Sequence, residues 1–183
     1  MKPDNNPAPA SPLRDEHFMA IALGEARRAA ERDEVPVGAV ITVGDRIIAR
    51  GHNLTETLND VTAHAEMMSI TAAADALGGK YLPQCTLYVT VEPCPMCAGA
   101  LGWSQIGRIV YGASDPKRGF TRLCREGISP LHPKTIVTPG VLAEEAGALM
   151  TEFFRKKRRH PQRPGKATGK ADEAKETALS DER

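Results

Sequence analysis

Residues 86–113 read TLYVTVEPCPMCAGALGWSQIGRIVYGA, and this stretch gives the clearest indication of the fold. Its first six residues are four β-branched residues, a leucine and a tyrosine, a composition that is typical of a strand. Two prolines flank Cys94 and suit a strand end followed by a short helix that ends near Trp103. The segment RIVYGA, at 108–113, predicts a second strand. A strand, a helix and a strand in this order predict a right-handed βαβ crossover.

The regions on both sides continue this alternation. Helical periodicity begins near Arg14 and ends before Pro36, and 37–51 predicts a β-hairpin with a Gly44-Asp45 turn. A helix is predicted for 63–77, a last strand for 134–138 and a final helix from Val141 to about Lys157. The inner face of that final helix is predicted to contain Leu142, Ala146, Leu149 and Phe153. The order α-β-β-α-β-α-β-β-α predicts an α/β fold whose sheet is covered on both faces.

The organisation predicted from composition is one domain with two disordered ends. Residues 1–13 are polar and proline-rich, 14–158 form the domain, and 159–183 form a charged tail. Residues 155–183 carry ten Lys and Arg against five Asp and Glu, with the basic residues first. This basic run either contacts a phosphate backbone or is a solvated helix end and tail.

Composition also excludes several classes of protein. Hydrophobic residues make up 41% and charged residues 26% of the 183, which are ordinary values for a globular domain. No segment approaches the roughly 18 apolar residues of a membrane span, and the N-terminus has no apolar signal region. A cytoplasmic location is therefore expected. In that compartment, four cysteines argue against a disulfide framework and leave metal binding, redox chemistry or burial.

Two short segments carry the chemistry. They are Thr62-Ala63-His64-Ala65-Glu66 and Val91-Glu92-Pro93-Cys94-Pro95-Met96-Cys97. Together they offer one imidazole and two thiolates, a ligand set that is typical of zinc. Three protein ligands leave the fourth tetrahedral position open, as in catalytic zinc sites. His64, Cys94 and Cys97 are thus predicted to bind one Zn²⁺ per subunit.

Glu66 is the predicted proton carrier. Two thiolates neutralise the charge of zinc, so that its water is acidified less than at a site with three histidines. A proton acceptor is then needed next to the metal. Glu66 lies two residues from His64, close enough to take a proton from that water and deliver it to a ring nitrogen and then to the leaving amine.

Simpler interpretations of these residues exist. His64 could be a helix-cap histidine, Cys94 and Cys97 buried or redox cysteines, and Glu66 a surface carboxylate. Cys85 and Cys124 have no partner at ligand spacing and are interpreted as free thiols.

The His64-Ala65-Glu66 and Pro93-Cys94-Pro95-Met96-Cys97 segments resemble the zinc-dependent cytidine/deoxycytidylate deaminase superfamily, whose signature is this same pattern of His-x-Glu followed by Pro-Cys-x-x-Cys. Within it, the chain looks like the bacterial tRNA-specific adenosine deaminases over about residues 14–158. The segments that carry this closer likeness are EVPVGAV at 34–40, GHN at 51–53, TAHAE at 62–66, EPCPMC at 92–97, RIVYGA at 108–113, DPK at 115–117 and EFFRKK at 152–157.

The resemblance implies a three-layer α/β/α fold with a five-stranded mixed sheet. It also implies a homodimer that hydrolyses adenosine to inosine at the tRNA wobble position with a zinc-activated water. Asn53 matches the residue that binds the base, the N–H of Ala65 could face the base, and Asp115 matches an aspartate beside the sugar. Asn53 could instead cap a turn, and Asp115 could form a turn before Pro116.

Three functions remain open at this point. The first is deamination of adenosine in a tRNA anticodon loop, whose flipped-out base would enter a pocket over the metal. The second is deamination of free bases or nucleosides such as guanine, cytosine or adenosine. The third is a non-catalytic zinc protein.

Overall fold

The chain is described here by a computed structural model, which covers residues 7–125 and 128–159. Its elements follow the predicted order. The helices are α1 (Pro12–Glu31), α2 (Ala65–Leu77), α3 (Pro95–Trp103) and α4 (Ala143–Arg159). The strands are β1 (Gly38–Val43), β2 (Arg46–His52), β3 (Cys85–Val91), β4 (Arg108–Ala113) and β5 (Ile136–Thr138). A single 3₁₀ turn at Phe120–Leu123 interrupts the long connection between β4 and β5.

The five strands form one mixed sheet in the order β2-β1-β3-β4-β5. The pairs β1/β2 and β1/β3 are antiparallel, whereas β3/β4 and β4/β5 are parallel. The β3-α3-β4 unit is therefore the crossover that the sequence predicts, and the five-stranded mixed sheet is confirmed.

Helices cover both faces of the sheet and create two apolar cores. Alternate residues of the central strands point to opposite faces, as the pleat requires. Leu87, Val89 and Ile109 pack on the side of α2 and α3, and Tyr88 and Val110 pack on the side of α1. Helix α4 contacts α1, β3 and β4, so it lies on the α1 side of the sheet. The three-layer α/β/α arrangement is confirmed.

A buried ion pair fixes the start of α1 on the sheet. Arg108 of β4 donates to both carboxylate oxygens of Asp15, at 2.8 and 2.7 Å. Both side chains are at least 95% buried. The hydroxyl of Tyr88 also donates to Asp15, and Arg108 donates to Thr138 of β5. One polar network thus joins α1 to β3, β4 and β5.

Several predicted boundaries differ from the structure. Helix α1 begins at Pro12, which fits the first helical turn, so the predicted disordered arm 1–13 is too long by two residues. Helix α2 begins at Ala65 because His64 is its extended N-cap. Leu142 has a φ of +51° and lies before α4, which makes its predicted place on that helix wrong.

Parts of the predicted ends lie outside the described residues. These parts are 1–6 of the arm and 160–183 of the tail, and their assignment stays a prediction. Arg159, predicted to begin the tail, is the last residue of α4. Within 7–125 and 128–159, no helix combines the length and apolar character that a membrane span needs.

Candidate active site

The three predicted metal ligands lie at the starts of two neighbouring helices. His64 is the N-cap of α2, Cys94 is the N-cap of α3, and Cys97 lies one turn further into α3. Helices α2 and α3 contact each other on one face of the sheet. Neither N-cap side chain caps its own helix by a hydrogen bond, so the imidazole and the thiol remain available for a metal. The positive end of each helix also favours a thiolate.

The distances between the ligand atoms fit a tetrahedral zinc ion. Nδ1 of His64 lies 3.7 Å from Sγ of Cys94 and 3.5 Å from Sγ of Cys97. All three ligand atoms lie within 4.8 Å of one another. Zinc bonds of about 2.3 Å to sulfur and about 2.0 Å to nitrogen, at a tetrahedral angle, put the two atoms about 3.5 Å apart. The cluster is therefore preorganised for zinc.

Hydrogen bonding and burial make the pKa values of the two cysteines unequal. A hydrogen bond from Cys97 lowers the pKa of Cys94 to about 4, and His64 acts in the same direction. The same hydrogen bond, together with burial, raises the pKa of Cys97. A hydrogen bond to Cys94 also raises the pKa of His64. Because zinc binds thiolates and neutral imidazole, metal binding at this cluster releases protons.

Glu66 lies in the first turn of α2, beside the ligand cluster. Its side chain is 3% exposed and lines the same cleft as His64 and Cys94. Burial raises the pKa of Glu66 to about 7, since a desolvated carboxylate is costly. A cation on the three ligands would oppose this rise. A buried carboxylate that both binds and releases a proton near neutral pH is suited to general acid–base chemistry.

The cleft above the cluster is large enough for a nucleobase with its sugar. Its volume is about 490 Å³. One wall is formed by the segment with Asn53 and Thr55, and another by the loop with Asp115, Lys117 and Arg118. The apolar lining consists of Val35, Val37, Val91, Met150 and Phe154. The cleft thus combines a flat apolar surface, a few polar groups and basic side chains at its edge, as small-molecule and nucleotide sites do.

Asn53 and Ala65 meet in the structure, although each is predicted to face the substrate. The N–H of Ala65 donates to Oδ1 of Asn53 over 3.0 Å, so that N–H is already used within the protein. Asn53 is 5% exposed and lines the cleft. Because its Oδ1 is occupied, the donors on its Nδ2 are the groups that it can offer to a base.

Asp115 forms a turn, as one interpretation of this residue predicts, and it also lines the cleft. Its Oδ1 accepts the N–H groups of Lys117 at 2.9 Å and Arg118 at 3.0 Å. A carboxylate in this position holds the backbone of the residues two and three further along the chain. Lys117 and Arg118 are exposed and also line the cleft.

Two buried glutamates at the cleft were not identified from the sequence. Glu34 accepts hydrogen bonds from the hydroxyl of Thr55 and the N–H groups of Glu56 and Thr57. Glu92 accepts hydrogen bonds from Asp115, which lines the cleft, and from Thr121 further along the same loop. The only sign of these glutamates in the sequence is that each lies within a segment of the family resemblance. No residue spacing predicts which loop either glutamate holds.

Comparison with known proteins places this geometry in a family. The cytidine and deoxycytidylate deaminase zinc-binding region matches residues 12–113. That match contains His64, Cys94 and Cys97, so zinc is the cofactor of this site. The tRNA-specific adenosine deaminase of Agrobacterium fabrum is 49% identical over 78% of this chain and 95% of its own length. That of Bacillus subtilis is 45% identical over 80% and 92%.

Solved structures agree with the sequence comparisons. A structure from a study of A-to-I editing by tRNA:A34 deaminases at the wobble position of transfer RNA is 47% identical, with a TM-score of 0.68. The alignment covers 73% of this chain and 98% of that chain. A guanine deaminase from Nitrosomonas europaea is 26% identical, with a TM-score of 0.64 over 80% of this chain and 85% of that chain.

Proposed function

Because this chain belongs to the cytidine and deoxycytidylate deaminase family, we propose that it hydrolyses adenosine to inosine at the wobble position of tRNA. One observation carries the chemistry, namely that three zinc ligands lie beside the buried carboxylate of Glu66 in an open cleft. The choice of tRNA rests on the high identity to tRNA-specific adenosine deaminases across most of their length. The enzyme is a zinc-dependent hydrolase.

The ligands hold the metal and Glu66 carries protons. His64, Cys94 and Cys97 would hold the zinc ion, which would supply the activation of a water molecule for attack on the base. Glu66, buried beside these ligands, would accept a proton from that water and donate it to a ring nitrogen. The same carboxyl group would then take the proton of the added hydroxyl and pass it to the amine, which leaves as the C=O bond forms, so that one group acts as base and as acid.

The substrate is oriented by the polar groups of the two cleft walls. Nδ2 of Asn53 donates to the base, and Ala65 contributes by fixing Asn53 in place rather than by contacting the base itself. Asp115 lines the same cleft, and we assign it to the sugar of the nucleotide. Lys117 and Arg118 lie at the edge, where cationic side chains suit the phosphates next to a flipped-out nucleotide.

A homodimer in the cytoplasm is the second part of the proposal. Large apolar side chains are exposed on α3 and on the 3₁₀ turn that contacts it, which is unusual for a monomer surface. They are Met96, Trp103 and Leu123. Sedimentation of the wild-type chain should give twice its mass, and Trp103→Glu should give the single mass. A wild-type monomer at micromolar concentration would contradict the dimer.

A panel of substrates tests the reaction. The zinc-loaded enzyme is incubated with an anticodon stem-loop that has adenosine at the wobble position, and separately with adenosine, guanine, cytosine and cytidine. We expect inosine in the stem-loop and little product from the free compounds. Rapid turnover of guanine or cytosine without inosine formation would favour the free-base alternative. No activity on any member of the panel would favour a non-catalytic zinc protein.

Salt dependence and truncation test the basic C-terminal segment. Contacts between Lys or Arg and phosphates release counterions, so the affinity for the stem-loop should fall steeply as salt rises. Removal of 160–183 should reduce this slope if the tail contacts RNA. An unchanged slope would assign the salt dependence to α4 and the cleft edge.

A further inference from the structure

The cleft wall that carries Asp115, Lys117 and Arg118 is a loop without regular structure before Phe120. Residues 114–119 leave the end of β4 and return to the 3₁₀ turn at Phe120–Leu123. A loop of this kind needs fixed contacts if it is to hold a substrate reproducibly. Glu92, just after β3, supplies them.

The carboxylate of Glu92 ties both ends of this loop. Its Oε2 accepts the N–H of Asp115 at 2.9 Å. Its Oε1 accepts the N–H of Thr121 at 3.0 Å and the hydroxyl of Thr121 at 2.7 Å. The side chain is 5% exposed, so water competes little for these bonds. Three donors converge on two oxygens, and only a carboxylate presents an acceptor at both ends.

The loop is shaped to fit this carboxylate. A Cβ atom on Gly119 would overlap the carboxylate of Glu92, so a larger residue there would displace one or the other. The backbone reinforces the contact, because the carbonyl of Pro93 accepts the N–H of Phe120 at 3.0 Å. Phe120 is buried and its ring packs edge-on against Tyr111 of β4.

Glu92 also precedes the metal ligand Cys94 by two residues. One short segment therefore carries the anchor of the substrate wall and the start of the zinc-binding helix. A shift of the loop relative to this segment would move the nucleotide relative to the metal.

We propose that Glu92 is a positioning residue that fixes loop 114–121 and thereby sets how tightly the nucleotide is held over the metal. This inference rests on the proposed function, but the anchoring itself does not require it. Glu92 acts through Asp115, Lys117 and Arg118, while Glu66 moves the protons. Loss of the anchor should therefore weaken substrate binding more than it slows the chemical step.

Glu92→Gln is the variant that tests the anchor. It keeps the shape of the side chain but replaces one acceptor oxygen with an NH₂ group, which faces a backbone N–H whichever way the amide turns. We expect KM for the stem-loop to rise about tenfold, the loss expected for one hydrogen bond to a charged group, with kcat changed less than KM. Zinc content should stay at one per chain.

Hydrogen–deuterium exchange gives a readout that does not depend on activity. The amides of Asp115 and Thr121 should exchange faster in the zinc-loaded Glu92→Gln protein, whereas those of α2 should not. Glu25→Gln is the matched control, since Glu25 is similarly buried but lies on α1 outside the cleft lining. It should leave KM and the exchange of the loop unchanged.

The outcomes separate this inference from the proposed function. Absence of inosine with the wild type rejects the proposed function, and exchange still decides the anchor. Unchanged exchange at Asp115 and Thr121, or an unchanged KM, in Glu92→Gln would overturn the inference. If that variant does not fold, Thr121→Val decides, because it removes only the hydroxyl bond. A smaller rise in KM then supports the anchor, and a wild-type KM overturns it.

Discussion

At the scale of single residues, Glu66 is a carboxylate that folding removes almost completely from water. It is the second residue of α2, two positions after the N-cap His64, so the same helix start positions the proposed metal ligand and the proposed proton carrier. This arrangement makes the two roles separable by mutation. The ligands should govern metal content, and Glu66 should govern the rate.

Glu66→Gln should abolish most deamination while the protein retains its zinc. The amide has the same shape but cannot accept and then donate a proton, and a general acid–base group contributes about 10²- to 10⁴-fold in rate. Single-turnover inosine formation and metal analysis measure the two quantities. A variant that loses zinc together with activity would instead assign Glu66 to the metal site.

Glu34 should make the protein sensitive to acid. Although burial raises its pKa, hydrogen bonds from Thr57, Glu56 and Thr55 lower the pKa of Glu34 below its ordinary value of 4.5. Because its pKa is lower in the folded state, Glu34 contributes to the free energy of unfolding above about pH 4.5. This contribution is lost as the pH falls through the pKa of Glu34 in the folded state. Melting temperatures of Glu34→Gln and wild type should therefore differ more at neutral pH than in strong acid. A difference that is the same at both pH values would contradict this.

At the scale of elements, the network of Asp15 and Arg108 fastens α1 to the sheet. Asp15→Asn leaves the guanidinium of Arg108 buried beside a neutral partner. Breaking a buried pair in this way costs about 3–5 kcal/mol. The exposed pair of Arg14 and Asp45 provides a control, because such a surface pair contributes about 0–1 kcal/mol. Chemical denaturation should show a much larger loss for Asp15→Asn than for Asp45→Asn, and equal losses would contradict the role of burial.

The elements themselves could be predicted from sequence, whereas several contacts between them could not. The strand pattern of 86–91 and the prolines around Cys94 are local signals, so β3, α3 and β4 were confirmed with small shifts. The hydrogen bond between Asn53 and Ala65 depends on how the end of β2 packs against the start of α2. Glu34 and Glu92 bind their loops through backbone N–H groups that converge on each carboxylate only after folding. Leu142 was assigned to α4 by its apolar character, but a positive φ excludes it from the helix.

At the scale of the whole molecule, the proposed zinc site would join two helices that are separated along the chain. A metal that binds only the folded state stabilises the protein. The stabilisation is about 4 kcal/mol when the free metal concentration is a thousandfold above Kd. Chelation should then lower Tm by roughly 10 °C. Cys94→Ser should already melt near this lower temperature and respond little to the chelator. An identical Tm with and without chelator in the wild type would contradict a structural contribution of the metal.

Helix α4 completes the cleft with Met150 and Phe154, which follow all three metal ligands and Glu66 in the chain. Ribosomes synthesise polypeptides from the N-terminus, and folding can begin during synthesis. A nascent chain can therefore present its metal ligands before its binding pocket has been finished. The proposed base pocket can therefore be completed only after α4 has been synthesised.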